Sequence, residues 1–571
     1  MFTLLLLVPG LVSPSPSAQR LEVIYTDVDA SPLSAVPGLP GAKFSSFARP
    51  ALSPNGANWA ITAETDLPAT QSQVLIVNGA VVLREGDSPA YIDPLHRVNP
   101  IDRGININDA GQYAFTHSTD EAASENEYVV RGEASGSFTV ISREGFQVTG
   151  APMGWIAGFM NTSVITASGD VWYETDGVIG TPSGSFADNN LVMAGTTVFA
   201  QNGVSVPASQ ISGRADAWES FDFEDLHVSE EGLRYIVQGS LSTVPTEDGV
   251  VVVNGSVAIQ EGYPLPGGPA DLVDDGGIFG VYMHPKGSWM ADGRFQGNNL
   301  DWVVLDGSVV ALEGQPIHEG TTESYGFSSF FANVCDGAGR FVIGGITDAA
   351  DTSRNAVVVY NGERVLVREG DPVDLDGNGL YDDDLFFHDF GSDDFRLTDD
   401  GRLYFVATLR TSTGSTSVGS VFVVLDIQGG VGSSFCAARP NSTQGASSIS
   451  GTGSSMAASN QLTLAVGGLP AGVMGYFVTS TQANLVQMPG GSAGDLCIAS
   501  FDMGRYAQSV QTSSSSGTVT QALDLTMTPS PSGGVAVLSG ETRYWQFWHR
   551  DVNGAGASVS NFSNALCVTF D

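Results

Sequence analysis

The chain is short of positive charge: Lys plus Arg number 23 against 62 Asp plus Glu in 571 residues, a formal net charge of −39. Such a surface repels nucleic acid and anionic lipid headgroups and attracts cations. Cysteine is equally scarce. Cys335, Cys436, Cys497 and Cys567 show no CxxC spacing and have no companion histidines, which argues against a zinc site. The seven histidines are scattered, and none pairs with a cysteine or a second histidine at ligand spacing. After residue 20 no run approaches the 18 or so apolar residues of a membrane-spanning helix, and no long amphipathic helical window is present. These absences point to a protein, expected to be a monomer, with no nucleic-acid partner and no membrane insertion.

The first residues stand apart. Met1-Phe-Thr, the apolar run Leu4 to Val8 and the small-residue stretch Ser13 to Ala18 read as a secretory signal peptide over 1–20, although the segment before the apolar run lacks Lys and Arg. Export is therefore expected, and with no hydrophobic tail before Val568-Thr-Phe-Asp571 the expectation is release or non-covalent retention at the surface. In that setting the cysteines are disulfide candidates. Three pairings are possible, of which Cys436 with Cys497 is favoured.

Glycine is abundant, at 70 residues, and it is ordered. Gly56, Gly111, Gly169, Gly232, Gly287, Gly339 and Gly401 recur at a period of roughly 50 residues, the signature of a repeat array. Three residues before them stand Ser53, Asn108, Thr166, Ser229, His284, Asp336 and Thr398. Six of these seven are residues that close a local Asx or ST turn, while the glycine takes a conformation a Cβ would forbid. An aromatic follows each: Trp59, Phe115, Trp172, Tyr235, Trp289, Phe341 and Phe405. Asn-Gly or Asp-Gly at 78–79, 254–255, 306–307 and 361–362 signals a tight hairpin, and Glu-Gly follows at Glu85, Glu261, Glu313 and Glu369. Repeat two reaches its Glu144-Gly145 after an insertion. Repeat three carries Asn202-Gly203, read as its hairpin, with no Glu-Gly after it.

The unit is thus four strand-like runs with a turn between each. Repeat seven runs into Gly/Ser sequence where its fourth strand should be, and Leu21-Glu-Val-Ile-Tyr25 precedes repeat one as an orphan strand. If the orphan completes repeat seven, the array closes into a β-propeller-like ring of about seven four-stranded blades over 21–427, which removes exposed sheet edges. An open β-solenoid would leave both fragments unexplained. From 428 to 571 the period stops and short β runs persist in Ser/Gly/Thr-rich sequence, as expected of a β-sandwich.

Asn108-Asp-Ala-Gly111-Gln-Tyr-Ala114-Phe115 matches NxxGxxAF, and Arg-Glu-Gly-Asp stands at 84–87 and 368–371. On these motifs residues 21–427 resemble a bacterial exported tandem-repeat family, the choice-of-anchor NxxGxxAF repeats. The resemblance implies an exported β-repeat protein and nothing catalytic. Cys436, Asn441-Ser-Thr, Gly475-Tyr-Phe, Gly491 to Cys497 and Trp545 to Asp551 resemble a C-terminal module shared by many exported bacterial proteins, which implies a surface, secretion or attachment role.

Chemistry-bearing patterns are few. Gly490-Gly-Ser492-Ala-Gly494 spells a nucleophile elbow, but it lies outside the strand–turn–helix context that chemistry requires. Asp374, Asp376, Asn378, Asp382 and Asp384 place oxygen donors around a glycine-bearing loop, as a hard cation such as Ca²⁺ requires, with Leu385 where an EF-hand has its bidentate Glu. The competing reading is a solvated acidic loop, and any Ca²⁺ there would be structural. The recurring Glu85, Glu144, Glu261, Glu313 and Glu369 are read as strand caps, the competing reading being a ring of carboxylates for sugar chemistry. Tyr544 to His549 carries aromatics on both faces, as a doubly covered strand does; a glycan-stacking platform is the other reading. The sequence as a whole reads as a non-enzymatic binding or attachment protein with a glycan or cell-envelope partner. A propeller enzyme acting on polysaccharide and a purely structural envelope protein are the alternatives.

Overall fold

The computed structural model describes residues 20–101, 104–160, 162–179, 190–319, 321–376, 383–427, 431–453, 455, 457, 460, 462–514, 517–554 and 556–570. Asn378, Asp382 and the expected signal peptide through residue 19 lie outside the described residues. Among the described residues there is no α-helix; the chain is all β, in two compact units whose boundary falls at 425–426.

The larger unit is a propeller-like array of seven antiparallel sheets. Blade six shows the plan: Tyr325–Cys335 innermost, then Phe341–Thr347, Ala356–Tyr360 and Arg364–Arg368. Blade seven consists of Phe386–Leu397, Arg402–Arg410 and Gly419–Asp426, and its fourth strand is Arg20–Thr26 from the other end of the chain. The orphan strand thus completes the last blade. Thr26 Oγ1 donates to Ser420 O at 2.8 Å across the join.

Three capping motifs explain the periodic residues. In the turn between the first two strands, the key glycine amide donates to the carbonyl three residues back, as from Gly56 to Ser53 at 2.9 Å and from Gly401 to Thr398 at 2.9 Å. The side chain of that earlier residue accepts from a later turn amide: Asn58 N to Ser53 Oγ at 3.0 Å, Gln112 N to Asn108 Oδ1 at 3.0 Å, Arg340 N to Asp336 Oδ1 at 2.9 Å. His284 does the same through Nδ1, accepting from Lys286 N at 3.2 Å, so all seven side chains serve the turn where six were expected. The hairpin residue supplies the second cap. Asn78, Asn254, Asp306 and Asn361 have φ of 47–52°, and each accepts through Oδ1 from the amide of the aromatic that opens the second strand: Trp59, Tyr235, Trp289 and Phe341. The third cap is the glutamate. Its carboxylate accepts from an amide at the start of the third strand: Gln73 for Glu85, Asn126 for Glu144, Gly249 for Glu261 and Asp301 for Glu313, at 3.0–3.3 Å.

Blade three corrects the sequence reading. Its hairpin turns at Gly195, between Asn190–Ala194 and Thr197–Gln201. Asn202-Gly203 is instead the counterpart of Glu-Gly, because Asn202 Oδ1 accepts from Asn190 N at 2.9 Å at the start of the third strand. Blade seven completes the set with Asp27, which accepts from Ser420 N at 2.5 Å and Ser420 Oγ at 2.8 Å. The Glu369 carboxylate is likewise held by backbone hydrogen bonds at Asn355 and Ala356, so the seven blades carry seven such caps, five Glu, one Asn and one Asp.

The smaller unit is a β-sandwich. A six-stranded sheet containing Thr542–Val552 and Ser558–Thr569 faces a three-stranded sheet of Ser448–Gly453, Leu462–Gly467 and Val519–Ala522. Trp545, Phe547, Phe477, Leu464, Leu566 and Val519 form the core between them. On the opposite face Gln546 is buried as well, donating to Asp495 O at 2.9 Å, so this strand is covered on both sides there. Cys436 and Cys497 form a disulfide, with Cα atoms 6.2 Å apart; Cys335 and Cys567 are buried and outside any disulfide.

Candidate functional site

Two structural rings surround the propeller axis. The first is built from the seven turns. Asn55 N donates to Asp109 Oδ1 at 3.0 Å, Asn108 Nδ2 to Thr166 O at 2.8 Å, Ala167 N to Glu230 O at 2.7 Å, and Glu230 N to Pro285 O at 2.7 Å. Gly337 N donates to Asp399 Oδ1 at 3.0 Å, and Asp399 N returns to Pro54 O at 3.1 Å, which links blade seven to blade one. Lys286 adds an ion pair with Asp399 at 2.6 Å. Backbone polar groups at the turns are thus satisfied by another blade, and turn-to-turn hydrogen bonds join blades one to five in series and blades six, seven and one.

The second ring lies partway along each innermost strand, where the ladder breaks. In blade four the register runs from Phe221↔Gly239 to Leu226↔Val237, so 222–225 face Gln238 alone. The same four-against-one bulge recurs at 274–277, 326–329 and 391–394 in blades five to seven. In blades one to three the innermost strand is in two pieces, as with Phe44–Phe47 and Ala51–Leu52 in blade one and Trp155–Ala157 and Ser163–Ile165 in blade three. Bulges next to a site re-aim side chains.

Between the two rings is a cavity of about 360 Å³. Its wall reaches the residues just before the turns, among them Leu52, Val164, Val228 and Met283, and the bulge residues Arg49 and Asp394. Four charged side chains line it, Arg49, Glu64, Asp394 and Arg396, together with the rings of Phe47, Tyr282 and His227. Gln73 bridges Glu64 to blade two, donating to Glu64 Oε1 at 2.7 Å and accepting from Ile101 N at 2.7 Å. The Arg396 guanidinium lies 5.6 Å from the Tyr282 ring centroid, and the Tyr282 and His227 rings stand 5.6 Å apart. Burial, reinforced by Arg396 and Arg49, lowers the His227 pKa to about 3, so the imidazole is neutral. Its Nε2 is 3.1 Å from Val281 O, a carbonyl that can only accept, which leaves Nδ1 as the ring's acceptor. Burial raises the Tyr282 hydroxyl, which stays protonated. The lining is therefore two guanidiniums, two carboxylates, neutral donors and acceptors, and aromatic faces.

No part of this cavity was marked as a site by the sequence. Arg49 lies in the gap of its blade's first strand and Arg396 just past a bulge, and neither segment carries a sequence motif.

The residues the sequence did single out lie elsewhere. Asp374, Asp376 and Asp383 each bring a carboxylate oxygen within 4.8 Å of the others. Asp383 also accepts from Leu375 N at 2.7 Å and was passed over in favour of Asp384, whose Oδ1 accepts from Ser412 N at 3.2 Å. Ser492 of the elbow-like pattern is buried and donates to Ser560 O at 2.8 Å, a structural bond.

No family model and no curated protein matches the chain. Among solved structures, it is similar to a polysaccharide lyase of family PL25, an ulvan lyase bound to its saccharide, at 8% identity and TM-score 0.28 over 67% of this chain and 93% of that one. It is similar to an exo-β-1,3-galactanase from Phanerochaete chrysosporium at 9% identity and TM-score 0.23 over 84% and 99%, and to a GH43_12 protein retrieved from a capybara gut metagenome at 7% and 0.21 over 96% and 94%. Scores this low carry no argument about activity; the strand pairing of the seven blades is what establishes the propeller-like architecture.

Proposed function

We propose that this is an exported, non-enzymatic binding protein whose propeller-like unit takes a neutral, hydroxyl-rich glycan segment in the axial cavity. The observation that carries the reading is the lining itself: Arg49 and Arg396 balanced by Glu64 and Asp394, with Phe47 and Tyr282 beside them, in a volume of about 360 Å³. Paired guanidiniums and carboxylates bind vicinal hydroxyls through charge-assisted hydrogen bonds, and aromatic faces take the apolar face of a sugar ring. A neutral ligand also fits the whole chain, because the net charge of −39 disfavours polyanions. The volume falls within the range of small-ligand sites and accommodates a short saccharide segment. Recurrence of one cap geometry in every blade supports a structural role for the repeated carboxylates, so they do not supply an acid/base pair. The Cys436–Cys497 disulfide fits an oxidising compartment, and among the described residues no helix is long and apolar enough to cross a membrane.

A neutral-oligosaccharide array, followed by calorimetry with the strongest binder, tests the reading on the full chain. Arg396→Gln and Glu64→Gln should each weaken binding by about tenfold or more, the loss of one charge-assisted hydrogen bond. Unchanged affinity in both variants would contradict it.

The loop carrying Asp374, Asp376 and Asp383 is read as a structural Ca²⁺ site, three carboxylates being the donor set a hard cation takes. The thermal midpoint should rise in millimolar Ca²⁺ relative to chelator, and Asp374→Asn/Asp376→Asn should remove the part of that rise due to the loop.

A further inference from the structure

His227 stands in the wall of the axial cavity, next to the last residue of Trp218–Val228, the innermost strand of blade four. It pairs with Ile236 just past the 222–225 bulge, where regular register resumes. Two contacts hold its ring. Nε2 donates to Val281 O of blade five at 3.1 Å, and the Tyr282 ring meets the imidazole at 5.6 Å and 66°, an edge-to-face contact. Tyr282 in turn carries the Arg396 guanidinium 5.6 Å from its ring centroid, so the three side chains form a row across blades four, five and seven.

The hydrogen bond fixes the tautomer. A carbonyl only accepts, so Nε2 keeps the proton and Nδ1 keeps a bare lone pair. Nδ1 bonds to no described residue, and it is open to solvent rather than sealed in the core. Burial, helped by Arg396 and Arg49, holds the imidazole pKa at about 3, so this lone pair persists at acidities where a free histidine becomes a donor at both nitrogens. Glu64, in the same wall, accepts from Gln73 through one carboxylate oxygen and is a less selective acceptor, since a carboxylate takes donors from several directions and also attracts cations. A neutral ring nitrogen has a single lone pair, in the ring plane. It takes one O–H or N–H along one direction, and a methyl ether, an ester carbonyl or a carboxylate placed there would set lone pair against lone pair.

We propose that His227 is the specificity-determining residue of the axial cavity: its Nδ1 accepts from one ring hydroxyl of the bound saccharide, and so selects sugars in which that hydroxyl is free rather than etherified, esterified or missing. This role rests on the saccharide reading of the cavity and adds which part of the sugar is read. Tyr282 is a positioning residue that acts through His227 and Arg396.

The test is calorimetry on the full chain with methyl β-glucoside, methyl β-galactoside and methyl α-mannoside as probes, each also as its monodeoxy and mono-O-methyl derivatives. For a probe that binds, deleting or methylating one particular hydroxyl should weaken wild-type binding about tenfold to a hundredfold, because a desolvated acceptor is left without its donor. In His227→Phe, which keeps a ring and removes the acceptor, the parent sugar should bind more weakly by the same factor and that hydroxyl should no longer count. The other positions should lose as much as in wild type, whereas a merely loosened fold would weaken every derivative alike. If His227→Phe does not fold, His227→Leu replaces it with the same expectation. Where no single hydroxyl couples to His227 while Arg396→Gln still weakens binding, the proposal falls and the saccharide reading stands. Where the wild type binds none of the probes, or binds them regardless of Arg396→Gln, both fall.

Discussion

At the residue scale, the periodic side chains are caps, and their chemistry follows from what each must satisfy. A turn opened by Ser, Thr, Asn, Asp or His needs an acceptor for a later amide, a hairpin needs a residue tolerant of positive φ, and an exposed strand start needs a carboxylate or amide oxygen. All three are local, so they were legible: Asn108-Asp-Ala-Gly111 and Asn361-Gly362 read the same in sequence and in structure. Asn202 and Asp27 were not legible, because an amide and a shorter carboxylate replace Glu at the cap and only the strand starts at Asn190 and Ser420 reveal them. Glu174 looked like any polar residue in a strand until its burial was known. Desolvation first, then Asp222, Asp225 and Asp176, raise its pKa well above the ordinary glutamate range. A raised carboxyl favours the protonated fold, so the stability it contributes is complete below the unfolded value of about 4.3 and is lost as pH rises through the folded value. Melts in chelator from pH 4 to 8 should therefore show Glu174→Gln gaining on wild type as pH rises. A pH-independent gap would contradict the burial.

At the element scale, the hairpin residue does two jobs, and these can be separated. Asn254 adopts φ 50° and caps Tyr235 N at 2.9 Å. Asn254→Gly keeps the backbone conformation and loses only the cap, whereas Asn254→Val also places a β-branched residue in the left-handed region, at a further cost of roughly 1–2 kcal/mol. Urea denaturation should rank the two in that order. The inner strands were the least legible elements. Their aromatic and apolar composition marks strands, but the register break is set by pairing with the second strand, and a local pattern carries no information about the partner. The bulges at 222–225 and 391–394 therefore leave no mark in the local pattern, and the cavity that Asp394 helps to line carries no sequence signal.

At the scale of the whole molecule, the last blade holds the two ends of the array together. Arg20–Thr26 pairs with Gly419–Asp426, and Asp399 hydrogen-bonds to Pro54, so the ring is joined both at its outer strand and at its turns. Removing residues through 27 would expose Gly419–Asp426 as an unpaired edge and delete the Asp27 cap. The expected outcome is a fall in the thermal midpoint of about 10 °C or more, with aggregation, since a lost strand removes several kcal/mol of pairing and burial. Calorimetry on the truncated chain checks this; an unchanged midpoint would mean that the array does not depend on closure. The same closure gives the axial cavity its wall, with residues of blades one and seven, Arg49 and Arg396, brought together across the join.

The balance of charge in that wall is what separates a neutral saccharide from other ligands. Calorimetric titration of the full chain with its best neutral oligosaccharide, at low and high salt and alongside Arg396→Gln, tests this most directly. The account predicts binding that is nearly insensitive to salt, because the ligand carries no charge, and at least about tenfold weaker in the variant. Binding confined to charged saccharides, or unaffected by Arg396→Gln, would contradict it.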